Sequence, residues 1–203
     1  MKKTYILLLT TILLILTACD DNNHDNSNKE NLVQKDLNNK TKAEKEAIEK
    51  ENNTFVLSYN NDSNYSIYIN NKNIEIDNLD KEIVVLNFFS SWCKPCKGQI
   101  PYISDLKKKY DNKIFVAGIL VNDDISKENL ETFISKFGIN YFISNSSVND
   151  NFAKIIVKKL NIDENFPIPL TVLFKNGRYY SHYEGAVPIE MLNHDIKNAM
   201  GEK

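Results

Sequence analysis

The sequence predicts an α/β fold: a central mixed β-sheet flanked by helices, with a β-hairpin at its N-terminal end. Three observations carry this. Residues 83–89 (IVVLNFF) and 114–121 (IFVAGILV) are almost continuously apolar, as strands buried on both faces are. Segments with helical spacing alternate with the strands, which is the order of an α/β chain. Lys175-Asn176-Gly177 separates two late strand-like runs, so at least one pair in the sheet is an antiparallel hairpin.

The elements follow in order. Residues 54–59 and 65–69 alternate and are β-branched or aromatic, and they read as a hairpin, with a short third strand at 74–76. The segment from Cys96 to Tyr110 places Ile100, Ile103, Leu106 and Tyr110 on one side of a helix. Pro101 lies inside it and is expected to kink or break it. Ser126 caps a helix that Gly138 ends. Residues 141–143 form a short strand and 151–160 a helix. The last hairpin, 170–174 with 178–183, leads into a closing helix at 189–200.

The N-terminal quarter has a different texture. Lys2 and Lys3 precede an apolar stretch, residues 5–16, that is too short for an ordinary membrane span. It ends in Leu16-Thr17-Ala18-Cys19, which is similar to the lipobox of bacterial lipoproteins. That resemblance implies that residues 1–18 are a cleaved signal, that Cys19 is lipidated, and that Asp20 favours retention at the inner membrane. The competing reading is an ordinary signal or an uncleaved anchor with a chance cysteine. Residues 19–52 read as the lipidated cysteine and a polar tether, too poor in apolar side chains to fold alone, with a Lys/Glu/Ala-rich second half of partial helicity. A partner-docking helix is the alternative for that half, on a short stripe of Ala43, Ala47 and Ile48. The folded domain is assigned to residues 53–203.

Composition bounds the function. The chain has 203 residues, is 42% hydrophobic and carries a formal net charge of -2. Loss of the signal would take Lys2 and Lys3 and leave about -4, with no basic bias toward nucleic acid. Asn is frequent, which favours loops and turns. There are three cysteines. If lipid claims Cys19, Cys93 and Cys96 remain as the sole thiols of an exported domain, and if they pair they pair with each other.

Cys93-Lys94-Pro95-Cys96 follows a buried strand and opens a helix. Free N–H groups and the helix dipole at that end favour negative charge, so the Cys93 thiol should ionise more readily than a free cysteine. Cys96 lies about one turn further in. In a redox pair Cys93 would attack a partner disulfide and Cys96 would resolve the mixed disulfide. Trp92 would cover the pair, Lys94 would favour thiolate, and Pro95 suits a first helical turn. Half of a zinc site is the other chemistry. It needs about four ligands, and His24, His182 and His194 do not stand at a suitable spacing. No metal is expected.

FFSSWCKPCKGQIP resembles the active-site segment of the TlpA/ResA-like branch of the thioredoxin superfamily. Pro101, five residues after the second cysteine, and Ile168-Pro169-Leu170-Thr171 before the last hairpin extend the resemblance over about residues 54–200. It implies a thioredoxin-like fold and a thiol-disulfide oxidoreductase with no cofactor beyond its own cysteine pair. It implies a cis Pro169 against the CxxC, with Ile168 pairing to the substrate backbone, so that Trp92, Pro95, Ile168 and Pro169 form the substrate surface. It also implies exported protein thiols as clients, apocytochrome c among them, and a membrane thiol reductase as electron donor. Three departures stand out. Pro167 replaces a frequent Gly, Asn87 stands where thioredoxins often bury an Asp, and Gln99 stands where ResA-like proteins often have a Glu. Amides cannot accept a proton at neutral pH, and Glu184 is the remaining candidate acid. A module that binds and delivers thiol clients, or an oxidant or isomerase, is the alternative function. Ile before the proline favours a reductant. Asp62-Ser-Asn64-Tyr-Ser66 fits the acidic sequon of bacterial N-glycosylation.

Overall fold

A computed structural model describes residues 42–59 and 63–202. The expected signal, Cys19, Asp20 and the first half of the tether lie outside the described residues. Residues 46–203 make one compact unit. Residues 42–52 are helical (α1), and the last turn of α1 is tied to the strand that follows: Thr54 Oγ1 donates to the Lys50 carbonyl at 2.6 Å.

Among the described residues, eight strands form one mixed sheet: β1 (Thr54–Tyr59), β2 (Ser63–Asn70), β3 (Asn73–Ile76), β4 (Ile83–Phe89), β5 (Ile114–Leu120), β6 (Phe142–Ser144), β7 (Leu170–Lys175) and β8 (Arg178–Glu184). Their order is β1-β2-β3-β8-β7-β4-β5-β6. β4 runs parallel to β5 and antiparallel to β7, and β5 runs parallel to β6. Every residue of β4 and β5 is buried, because helices or the hairpin cover both faces of the sheet centre. The helices are α2 (Lys94–Lys109), α3 (Lys127–Phe137), α4 (Asn149–Leu160) and α5 (Ile189–Ala199).

The two faces bury separate clusters. On one, Phe152, Ile156 and Val157 of α4 pack with Val84, Leu86 and Phe88 of β4 and with Phe55, Leu57 and Ile67 of the N-terminal hairpin. On the other, Cys96, Ile100 and Ile103 of α2 pack with Val85 and Phe89 of β4, Leu130 and Phe133 of α3, and Leu192 and Ile196 of α5. The hairpin curls over the first face. Tyr65 packs against Phe115 and Phe142 with ring centroids 4.7 and 4.8 Å apart. The Asn145 N–H, just past β6, donates to the Ser58 carbonyl of β1 at 3.0 Å. The two edge strands are thereby brought together, which removes exposed edges that would pair with another chain.

Sequence punctuation governs the ends. Ser126 Oγ accepts from the Asn129 N–H, and Gly138 ends α3 at a φ of 60°. Among the described residues, every non-glycine position with positive φ is an asparagine: 71, 78, 122, 161 and 176. Five asparagines thus serve left-handed turn positions, which other L-residues rarely adopt. Of the two outcomes expected at Pro101, the structure excludes the break: α2 continues through it. The proline deprives the Lys97 carbonyl of its partner, yet Pro101 and Gly98 face solvent and Lys97 is half-exposed, so water can serve that carbonyl.

Two glycines have opposite requirements. Gly177 sits in the β7–β8 turn at a φ of 74°, and its carbonyl accepts from the Ile74 N–H of β3 at 2.7 Å. A Cβ there would stand 2.4 Å from the Ile74 carbonyl oxygen. Gly98 lies in exposed α2 with nothing within 4 Å of a Cβ. Gly177→Ala is expected to lose at least about 1–2 kcal/mol from the left-handed backbone alone, and Gly98→Ala to gain about 0.5–1 kcal/mol. Urea unfolding midpoints of the two variants check both signs.

Candidate active site at the start of the second helix

β4 delivers the chain to Ser90, and four residues later α2 begins. Cys93 is the N-cap of α2, with extended φ and ψ, and Pro95 occupies the first turn. Cys93 and Cys96 are joined in a disulfide with their Cα atoms 5.3 Å apart. The Cys96 N–H donates to Cys93 Sγ at 3.2 Å, so the sulfur takes the place of an ordinary capping oxygen. Both cysteines are buried, at 4% and 1% exposure. No acidic residue stands in the first turn of α2, while Lys94 does, so the field at Cys93 Sγ favours a thiolate once the pair is reduced.

The peptide bond between Ile168 and Pro169 is cis. It turns the chain into β7 so that the Ile168 carbonyl lies 3.8 Å from Cys93 Sγ. The disulfide sulfur carries no proton, so this is a contact and not a hydrogen bond. Pro169 is buried, Ile168 is half-buried, and the Pro169 carbonyl accepts from the Gly185 N–H at 2.8 Å. Residues 75 apart in sequence therefore meet at the sulfur. Trp92 is 62% exposed, and its Nε1–H donates to the Asn122 carbonyl at 3.1 Å. It projects at the edge of the site toward the β5–α3 loop.

The two amides that stand where acids were considered have different surroundings. Asn87 is buried in β4, and its Nδ2–H donates to Thr171 Oγ1 at 2.9 Å. Gln99 is buried on α2, and neither of its side-chain polar atoms has a partner. Tyr141 has a buried, unpartnered hydroxyl, and burial pushes its pKa well above the usual phenol value. Glu184, the other candidate acid, is exposed on β8 opposite Leu170, with its carboxylate 3.5 Å from His182 Nε2. His194 bonds Asn198 on exposed α5. Asn64, of the glycosylation sequon, is exposed on β2 opposite Ser58.

The comparisons agree with this geometry. Residues 80–179 match a family model described as thioredoxin-like. The fold is thioredoxin-like. The thiol-disulfide oxidoreductase ResA of Bacillus thuringiensis subsp. konkukian (strain 97-27) is 27% identical over 158 residues, spanning 77% of this chain and 81% of that protein. ResA of Bacillus subtilis (strain 168) is 29% identical over 130 residues, spanning 64% and 67%. A crystal structure of a thiol:disulfide interchange protein of the thioredoxin family from Chlorobium tepidum TLS superposes with a TM-score of 0.50 at 22% identity, over 59% of this chain and 81% of that one, and supports the fold.

Sequence reasoning did not find the Asn87–Thr171 bond or the carboxylate of Asp123, which accepts from the Ser91 backbone. The first had a signal: each residue is the polar interruption of a buried apolar strand, and β4 pairs Asn87 with Thr171. The second had none, because it joins two loops.

Gln99 yields a stability prediction. An unpaired buried amide costs about 1–3 kcal/mol, and an apolar residue of similar shape escapes that cost. Gln99→Met is expected to stabilise the domain by about 1 kcal/mol. A lower urea midpoint would show that Gln99 has a partner.

Proposed function

We propose that this protein is an envelope-facing, lipid-anchored thiol-disulfide oxidoreductase that reduces disulfides of exported proteins. The observation that carries the reading is the Cys93 sulfur at a helix N-cap, bonded to Cys96 and facing the carbonyl before a cis proline. The ResA relatives support the reaction class. In the reduced protein Cys93 thiolate attacks one sulfur of the client disulfide, and that S–S bond breaks. The departing client thiolate takes a proton from water or from Cys96. Cys96 thiolate then attacks Cys93 Sγ, releases the second client thiolate and forms the Cys93–Cys96 disulfide. Two electrons pass to the client. The chain is recharged by an external dithiol, for which a membrane thiol reductase is the fitting donor. No cofactor enters this scheme.

The first apolar segment and Cys19 support an anchor in the bilayer, with Asp20 favouring the inner membrane on its periplasmic side. Among the described residues no helix is long and apolar enough to cross a membrane. Apocytochrome c, whose paired thiols must stay reduced for haem attachment, is a client of the right chemistry. Trp92, Pro95, Ile168 and Pro169 are assigned the contact with it.

Three experiments test the reading. The Cys93–Cys96 pair, equilibrated against glutathione, is expected at about -270 mV or lower; a value near about -120 mV would make the protein an oxidant. In cells, Cys96→Ser should accumulate mixed disulfides through Cys93, and Cys19→Ala should release the domain from the membrane fraction. Failure of Cys19→Ala to release the domain would remove the lipid anchor from the proposal while leaving the chemistry intact.

A further inference from the structure

Three residues, Ser90 to Trp92, must turn the chain from the end of β4 into the N-cap of α2. Each is tied to the segment that follows β5. Ser90 Oγ–H donates to the Val121 carbonyl, and Trp92 Nε1–H to the Asn122 carbonyl. Between them, the Ser91 backbone N–H and hydroxyl both donate to the carboxylate of Asp123. The turn closes where the Cys93 N–H donates to the Ser90 carbonyl at 3.1 Å, and one step later Cys93 Sγ meets the Cys96 N–H.

The carboxylate is itself fixed. Asp123 Oδ1 also accepts from the Ile125 N–H at 3.1 Å, so three donors set its orientation. Its neighbour Asn122 has a left-handed φ of 48°, and the Asn122 N–H donates to Asp150 Oδ1, in the first turn of α4, at 2.8 Å. The connector therefore leans on a loop that is anchored elsewhere in the fold. The Ser90 and Trp92 ties are bonds between neutral groups. The Ser91 tie goes to an ionised acceptor, and such bonds are roughly twice as strong.

We propose that Asp123 is a positioning residue for Cys93: by holding Ser91 it keeps the Cys93 sulfur within reach of the N–H groups that stabilise its thiolate. The proposal rests on thiol-disulfide exchange at Cys93. Asp123 touches neither sulfur directly in this assignment. Its negative charge alone would oppose a nearby thiolate, so charge and position act in opposite directions and can be separated by substitution.

Asp123→Asn and Asp123→Ala both remove the charge. Asn keeps a carbonyl oxygen for the Ser91 N–H and an amide for the Ser91 hydroxyl, whereas Ala keeps neither. Full-length reduced protein is alkylated with iodoacetamide across pH, with Cys93 modification read by mass spectrometry. The Cys93–Cys96 equilibrium with glutathione is followed through Trp92, the chain's single tryptophan. Relative to Asp123→Asn, Asp123→Ala should shift the alkylation midpoint upward and leave about threefold less thiolate at a given pH. Asp124→Asn, next door and exposed, should behave as wild type. Coincident profiles for the Asn and Ala variants, beside a wild type that cycles, overturn the positioning role alone. A wild type that neither alkylates at Cys93 nor equilibrates with glutathione overturns the functional reading itself. Should Asp123→Ala fail to fold, Asp123→Ser, too short to span to Ser91, replaces it in the same comparison.

Discussion

One contact organises the site: the Cys96 N–H meeting the Cys93 sulfur at the open end of α2. A helix start leaves N–H groups without partners, and proteins commonly fill them with a Ser, Thr, Asp or Asn side chain. Here a sulfur fills the place. The consequence is chemical as well as structural, because the same donors that satisfy the backbone also lower the cost of a negative sulfur. Everything else must hold that sulfur still. β4 fixes where the helix starts, since all seven of its residues are buried between β5 and β7. The cis bond before Pro169 brings the Ile168 carbonyl to within 3.8 Å of the sulfur.

The hairpin serves this arrangement from a distance. With β1 and β2 folded over the α4 face, β5 is covered on the side away from the disulfide. A strand buried on both faces has few ways to shift register without exposing apolar side chains. β5 runs parallel to β4 along its full length and ends in the segment that receives Ser90, Ser91 and Trp92. The hairpin's aromatic contacts, Phe55 with Phe152 and Tyr65 with Phe115 and Phe142, are thus linked through β5 to the redox turn.

What could be read from the sequence was local. The apolar runs of β4 and β5, the Ser126 and Gly138 caps and the Asn176-Gly177 turn each declare themselves within a few residues. So does the CxxC before a helix. Ile168-Pro169 was legible through family resemblance, since nothing in the dipeptide itself requires a cis bond. The couplings between distant segments were not legible. Asn87 and Thr171 are 84 residues apart, and Ser91 and Asp123 are 32 apart. Pro101 does not break α2: a helical proline disrupts the carbonyl four residues back, and only the structure shows that this carbonyl belongs to a solvent-accessible turn.

The two amides near the disulfide give the mechanism its particular constraint. Asn87 donates one amide N–H to Thr171 and so braces β4 against β7, and its amide cannot take a proton from Cys96. Gln99 is buried and unpaired, and it can donate or accept a hydrogen bond but cannot take a proton. Glu184 is exposed and faces His182. None of these three offers Cys96 a buried carboxylate. The proton from Cys96 then has two acceptors by chemistry: water, or the client thiolate that leaves Cys93's target sulfur. The second route ties deprotonation of Cys96 to the formation of the mixed disulfide.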